Sequence, residues 1–181
     1  MGGRRKAFDV AVIDDRRLVD LRRRQSLDDV TAYVAQARPA VVAIDSPRSC
    51  AAVGQTHRPE EKALRDAVCG IRWTPSENQL EGNPYYEWIV EGLRLFATLE
   101  PLPCRVIECF PTASWTRWLG PRDGRRRSDW TREGLATLGL EDVPSRCSQD
   151  ARDAIAAAVT ARDYERGRVE TFGHIIVPAR A

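Results

Sequence analysis

Lysine is almost absent from this 181-residue chain: Lys6 and Lys62 are the only two, so nearly all of its 28 basic residues are arginines. Arginine dominance is read first as coding bias, with phosphate recognition by the planar guanidinium fork as the functional alternative. Long apolar runs are missing as well. Ala40–Ile44 and Ala154–Val159 fall far short of the roughly 20 residues that a membrane helix requires. No apolar segment of signal length follows the basic Arg4, Arg5 and Lys6, so the expectation is a cytoplasmic protein with no membrane partner. The five cysteines, Cys50, Cys69, Cys104, Cys109 and Cys147, include no Cys-x-x-Cys pair. Zinc-ribbon and disulfide-framework readings therefore lose their support, and reduced thiols are the default. A P-loop, G-x-G-x-x-G, G-x-S-x-G and H-E-x-x-H are all absent, which removes the usual basis for a nucleotide-cofactor enzyme or a serine hydrolase.

What is present is ordinary globular usage, 43% hydrophobic and 30% charged, with no Gly, Pro or Ser excess of the kind that marks disorder. The length suits one domain over residues 1–181. A net charge of +2 argues against a strong non-specific polyanion binder, while the clusters Arg16–Arg24 and Arg122–Arg127 keep a nucleic-acid partner open. Nothing in the pattern specifies an oligomeric state.

Residues Ala7–Ile13, turn chemistry at Asp14–Arg17 and an extended Leu18–Leu21 predict an antiparallel hairpin. Ser26 with Asp28 and Asp29 marks a helix start, Leu27, Val30, Val34 and Ala37 give its stripe, and Pro39 stops it. The unbroken Ala40–Ile44 and the run Arg105–Phe110 read as buried parallel strands. Between them lies a helical and loop insertion at about 48–100, with a short helix near Glu60–Val68 and a longer one over Tyr85–Leu99. Two short helices around the Arg122–Arg127 loop, a helix over Gln149–Arg162 and a short strand at His174–Val177 complete the chain. The alternation predicts an α/β layered domain whose mixed sheet, parallel at its centre, is flanked by helices.

Each buried strand delivers an acid to its carboxyl end, Asp45 and Glu108, where open α/β sheets place their ligands. Asp150 and Asp153, at i and i+3, share a face near the start of the last helix, and Asp153 stands above the small residues Ala157 and Ala161. If that helix crosses beside the two strands, three or four carboxylates converge, and a hard divalent cation such as Mg²⁺ or Mn²⁺ is the usual resolution of their repulsion. Singly, Asp150 reads as a dipole-favoured helix start and Asp45 equally well as a turn residue, whereas Glu108 gains nothing from β-propensity. Cys109 reads as a buried thiol, and Trp115 and Trp118 as core.

These residues carry a resemblance. Val-Val-Ala-Ile-Asp45-Ser-Pro, Arg58-x-x-Glu61-x-x-Leu-Arg65 leading to Gly70-Ile-Arg-Trp-Thr-Pro75, Val-Ile-Glu108-Cys-Phe-Pro111-Thr-Ala-Ser-Trp and Asp150-Ala-Arg-Asp153-Ala together resemble domain of unknown function family number 429 over about residues 7–178. That family is predicted to consist of nucleases of ribonuclease H-like fold. The resemblance implies a metal-dependent phosphodiesterase in which Asp45, Glu108 and Asp153 are catalytic and, with Asp150, hold Mg or Mn. It places Arg58, Arg65, Arg127 and Ser128 toward the substrate phosphate. It also implies a first central strand ending in Gly-x-Asp, which this sequence lacks, since Phe8–Ile13 corresponds to the second strand. A non-catalytic, degenerate ribonuclease H-like binding or assembly protein is the alternative.

Overall fold

A computed structural model describes residues 7–180; the basic Arg4, Arg5 and Lys6 lie outside them. Strands β1 (Phe8–Asp14) and β2 (Arg17–Gln25) pair antiparallel around a tight turn in which Asp15 takes a positive φ of 49°. Helix α1 (Leu27–Ala37) begins on a capping box: the Ser26 hydroxyl accepts from the Asp29 amide at 3.1 Å, and the Asp29 carboxylate accepts in return from the Ser26 amide at 3.1 Å. It ends at Arg38, left-handed at φ 48°, just before Pro39.

Strand β3 (Val41–Ile44) leads into the insertion, where helix α2 (Pro59–Ala67) and two short 3₁₀ turns precede helix α3 (Glu87–Leu99). Strand β4 (Arg105–Cys109) is followed by α4 (Pro111–Leu119), α5 (Arg127–Thr137) and the 17-residue α6 (Gln149–Glu165). A closing hairpin, β5 (Val169–Phe172) and β6 (Ile175–Pro178), turns on Gly173, whose φ of 56° suits the first position of a two-residue loop. The sequence pattern had shown only the second arm of that hairpin. β5 is short, half-exposed and polar at Glu170 and Thr171, so it carries little apolar signal.

The strands form two sheets, β1-β2 and β3-β4-β6-β5, the second parallel except for β5. This is the α/β, helix-flanked mixed architecture that the alternation predicts. No strand among the described residues pairs with the second side of β1 or of β3. Val41, Val42 and Ala43 are consequently only half-buried, where a run so apolar had been expected to lie inside a sheet.

Both sheets nevertheless share their covering layers. On one face Val30 and Val34 of α1 and Leu95, Phe96 and Leu99 of α3 pack with Ile44 and Val106, and Phe8, Val10 and Val42 join the same cluster. On the other, α6 lies against both β1 and β3, with Ile155 and Val159 meeting Ala11, Ile13 and Leu18. Buried alanines along α6, including Ala151, Ala156, Ala157 and Ala161, let it approach the strands closely. That approach brings the start of α6 to the carboxyl ends of β3 and β4. No described helix is long and apolar enough to cross a membrane.

Candidate functional site

Glu108, near the end of β4, is 3% exposed and both of its oxygens are engaged. Arg58 donates to it through Nη1 at 2.8 Å and Nη2 at 2.5 Å, and the Arg48 amide adds a bond of 2.9 Å to Oε2. Arg58 is itself 2% exposed, with Nε 3.1 Å from Glu61 and Nη1 3.4 Å from Glu60. Glu61 also accepts from the amide and hydroxyl of Thr74. Burial alone would weaken the hold of Arg58 on its proton, but the carboxylates of Glu108 and Glu61 outweigh it and strengthen that hold.

This geometry commits both side chains inside the protein. The guanidinium of Arg58, expected toward the substrate phosphate, is engaged by carboxylates inside the protein. Glu108 is no free metal ligand but the acceptor of a buried bidentate ion pair. The pair fastens the insertion, through the first turn of α2, onto the end of β4.

Asp153 is 8% exposed and equally committed. Its Oδ1 accepts from the Trp115 indole at 3.0 Å, its Oδ2 from Arg127 Nη2 at 3.0 Å, and the Gln149 amide reaches both oxygens at 3.1 Å. Asp45 differs: it is exposed just past the end of β3 and has no hydrogen-bond partner among the described residues. The surrounding protein and then the charge of Asp153 push its carboxyl up to about 7, with Arg127 opposing and Asp150 and Glu108 adding smaller contributions. Asp150, in the first turn of α6, is exposed and unbonded.

The structure thus brings together Asp45, Asp150, Asp153 and Arg127, with Glu108 beside them but neutralised. Among the described residues no three His, Cys, Asp or Glu side chains are disposed to hold one ion. The Mg or Mn set implied by the resemblance does not fit this arrangement, since only Asp45 and Asp150 keep unbonded carboxylates. No family model, curated protein or solved structure matches the chain.

The other expected substrate contacts are scattered. Arg65, exposed on α2, lies 5.0 Å over the Trp73 ring, which His57 also meets at 4.8 Å, and it bonds none of the site carboxylates. Ser128 is exposed near the start of α5. Cys109 is 2% exposed, and burial with the charges of Asp45, Glu108 and Asp153 pushes its thiol well above the ordinary range, so it is no nucleophile at neutral pH.

Trp115, Gln149 and the Arg48 amide are site components that local reading did not assign. Trp115 was legible as core and is 0% exposed, but its bond to Asp153 spans 38 residues and leaves no local trace.

Ser46, the neighbour of Asp45, is pressed against α3 at Gly92. A Cβ on Gly92 would lie 1.8 Å from the Ser46 Oγ. Gly92→Ala is expected to cost about 1–3 kcal/mol of stability, because two packed elements must part. Urea denaturation checks this, and a loss below about 0.5 kcal/mol contradicts the packing described.

Proposed function

We propose that this chain is a ribonuclease H-like α/β protein that hydrolyses phosphodiesters at the acidic cluster by the ends of β3 and β4. One observation carries the reading: Asp45, an unbonded, exposed carboxylate at the end of β3, lies within the electrostatic reach of Arg127, whose Nε and Nη1 have no partner among the described residues. A carboxylate able to take a proton, next to a guanidinium able to hold phosphate oxygens, is the minimum equipment for adding water to phosphorus. Asp45 and Asp150 alone do not make a cation site, so the chemistry derived from these residues is that of a base and a clamp. The water oxygen bonds to phosphorus and the ester P–O bond breaks. The proton of the water passes to Asp45, and the leaving oxygen takes one from solvent. Arg127 meanwhile donates to the non-bridging oxygens where charge accumulates. Positioned general-base help of this kind is worth about 10²–10⁴-fold in rate.

The alternative, a non-catalytic phosphate-binding or assembly protein on the same fold, is favoured by a different observation: arginines neutralise Glu108 and Asp153. The two readings part in one assay. Labelled single- and double-stranded DNA and RNA, and bis(4-nitrophenyl) phosphate, are incubated with the chain in Mn²⁺, in Mg²⁺ and in chelator. Cleavage that falls about 100-fold or more in Asp45→Asn, with an unchanged circular-dichroism spectrum, is the expected result. An inactive wild type in every condition, or an Asp45→Asn variant as active as wild type, overturns the catalytic reading.

A further inference from the structure

A cavity of about 370 Å³ opens at Arg127, beside the acidic cluster. Its walls come from the end of α2 and the following loop (Val68, Cys69), from α4 (Thr112, Thr116) and from the α4–α5 loop and α5 (Pro121, Arg122, Arg127, Trp130). Arg127 is common to this cavity and the acidic cluster, since its Nη2 holds Asp153. None of the lining residues is acidic.

The donors on these walls outnumber their acceptors. The Arg122 side chain makes no ion pair or hydrogen bond among the described residues, and Arg127 keeps two nitrogens free. At Thr112, in the first turn of the nine-residue α4, both the amide and the hydroxyl lack partners among the described residues. The amides of Ala113 and Ser114 go to the Phe110 carbonyl, and Pro111 has no N–H to give. Thr116 is spoken for, its hydroxyl donating to the Thr112 carbonyl at 2.8 Å. Trp130, 2% exposed, is the largest apolar wall residue, and its indole N–H has no acceptor among the described residues.

The unpaired guanidinium of Arg122, the two nitrogens that Arg127 keeps free beyond its ion pair with Asp153, and an unbonded helix-start amide round one cavity call for an anion, and they match the oxygens of a phosphate in particular. The volume lies at the small end of the roughly 300–1,000 Å³ usual for ligand sites, enough for one compact molecule and too little for a stretch of duplex. Val68, Pro121 and Trp130 supply an apolar side for a ring system.

We propose that this cavity binds the phosphate monoester of a single nucleotide, through Arg122, Arg127 and Thr112, so that a nucleic-acid strand is engaged by its phosphorylated end with the first diester bond over the acidic cluster. The placement of the diester rests on the hydrolytic reading above, whereas the binding of the monoester does not. The substrate class it implies is a 5′- or 3′-phosphorylated single-strand end.

The test is calorimetric titration of the purified chain, in chelator, with inorganic phosphate and with adenosine 5′-monophosphate. The nucleotide is expected to bind saturably and about tenfold more tightly than inorganic phosphate. Arg122→Ala is expected to weaken nucleotide binding about tenfold and Thr112→Val about threefold, while Arg132→Ala, which removes an exposed arginine of α5 from outside the cavity, leaves it unchanged.

Absence of saturable binding, wild-type affinity in Arg122→Ala, or an equal loss in Arg132→Ala overturns the proposal. So does nucleotide affinity no better than that of inorganic phosphate. Because the titration needs no turnover, a chain that binds the nucleotide but cleaves nothing rejects only the catalytic reading. One that cleaves but does not bind the nucleotide rejects only this cavity.

Discussion

Arg58→Met is expected to lower the unfolding free energy by about 3–5 kcal/mol, because it strands two buried carboxylates rather than deleting one contact. Glu108, at 3% exposure, would keep only the Arg48 amide, and Glu61, at 0%, would keep only Thr74 and the amide of residue 58. Methionine fills a similar volume and leaves the backbone able to cap α2, so the loss reports charge rather than a cavity. For a chain of this length the fall corresponds to roughly 6–20 °C in the midpoint of thermal unfolding. Arg65→Met, on the exposed face of the same helix, serves as the control and should cost less than about 1 kcal/mol. Adding Glu108→Gln to Arg58→Met should return part of the loss, since a neutral amide is cheaper to bury than an unpaired carboxylate. A fall below about 1 kcal/mol for Arg58→Met would show that water or a neighbour satisfies these acids without it.

That network also shows where local reading of the sequence ends. Ser26 with Asp29, the apolar runs into Asp45 and Glu108, and the alanine-lined face of α6 are signals within a dozen residues, and each corresponds to an element of the structure. The convergence of Asp45, Asp150 and Asp153 follows from those elements, because parallel strands and a crossing helix must bring such positions to one end of a sheet. The partners of the acids do not follow. Arg58 and Glu108 are 50 residues apart, and Arg127 and Asp153 are 26 apart. An acid that pairs with an arginine and an acid that awaits a cation look alike in sequence.

The same distance limit hid the sheet edges. β3 carries the composition of a strand inside a sheet, and only the tertiary arrangement reveals that, among the described residues, β1 and β3 are each paired on one side.

Asp45→Asn should stabilise the protein at neutral and alkaline pH and leave it unchanged in acid. The carboxyl of Asp45 is pushed up to about 7 in the folded chain by the protein around it and by Asp153, Asp150 and Glu108, against Arg127, while its ordinary value is 3.8. Between those two values the folded protein holds a proton that the unfolded chain has released. Stability therefore declines as pH rises from about 4 to about 7, the reverse of the usual behaviour of a salt-bridged aspartate. Above pH 7 the whole penalty is present, and below pH 4 none of it is. Water reaches Asp45 and screens its neighbours, so the penalty is about 1–2 kcal/mol rather than the full value of so large a shift. Asparagine cannot ionise and removes it, so urea unfolding curves of wild type and Asp45→Asn should coincide near pH 4 and separate by that amount at pH 8, the variant being the more stable. Curves that stay parallel across the range would mean that Asp45 is not held among the carboxylates of α6 and β4. The convergence matters for function as well as stability. The surrounding protein and the repulsion by Asp153 that make ionised Asp45 costly at pH 8 are also what raise its affinity for a proton from water, so the variant that folds best should be the one that cleaves least.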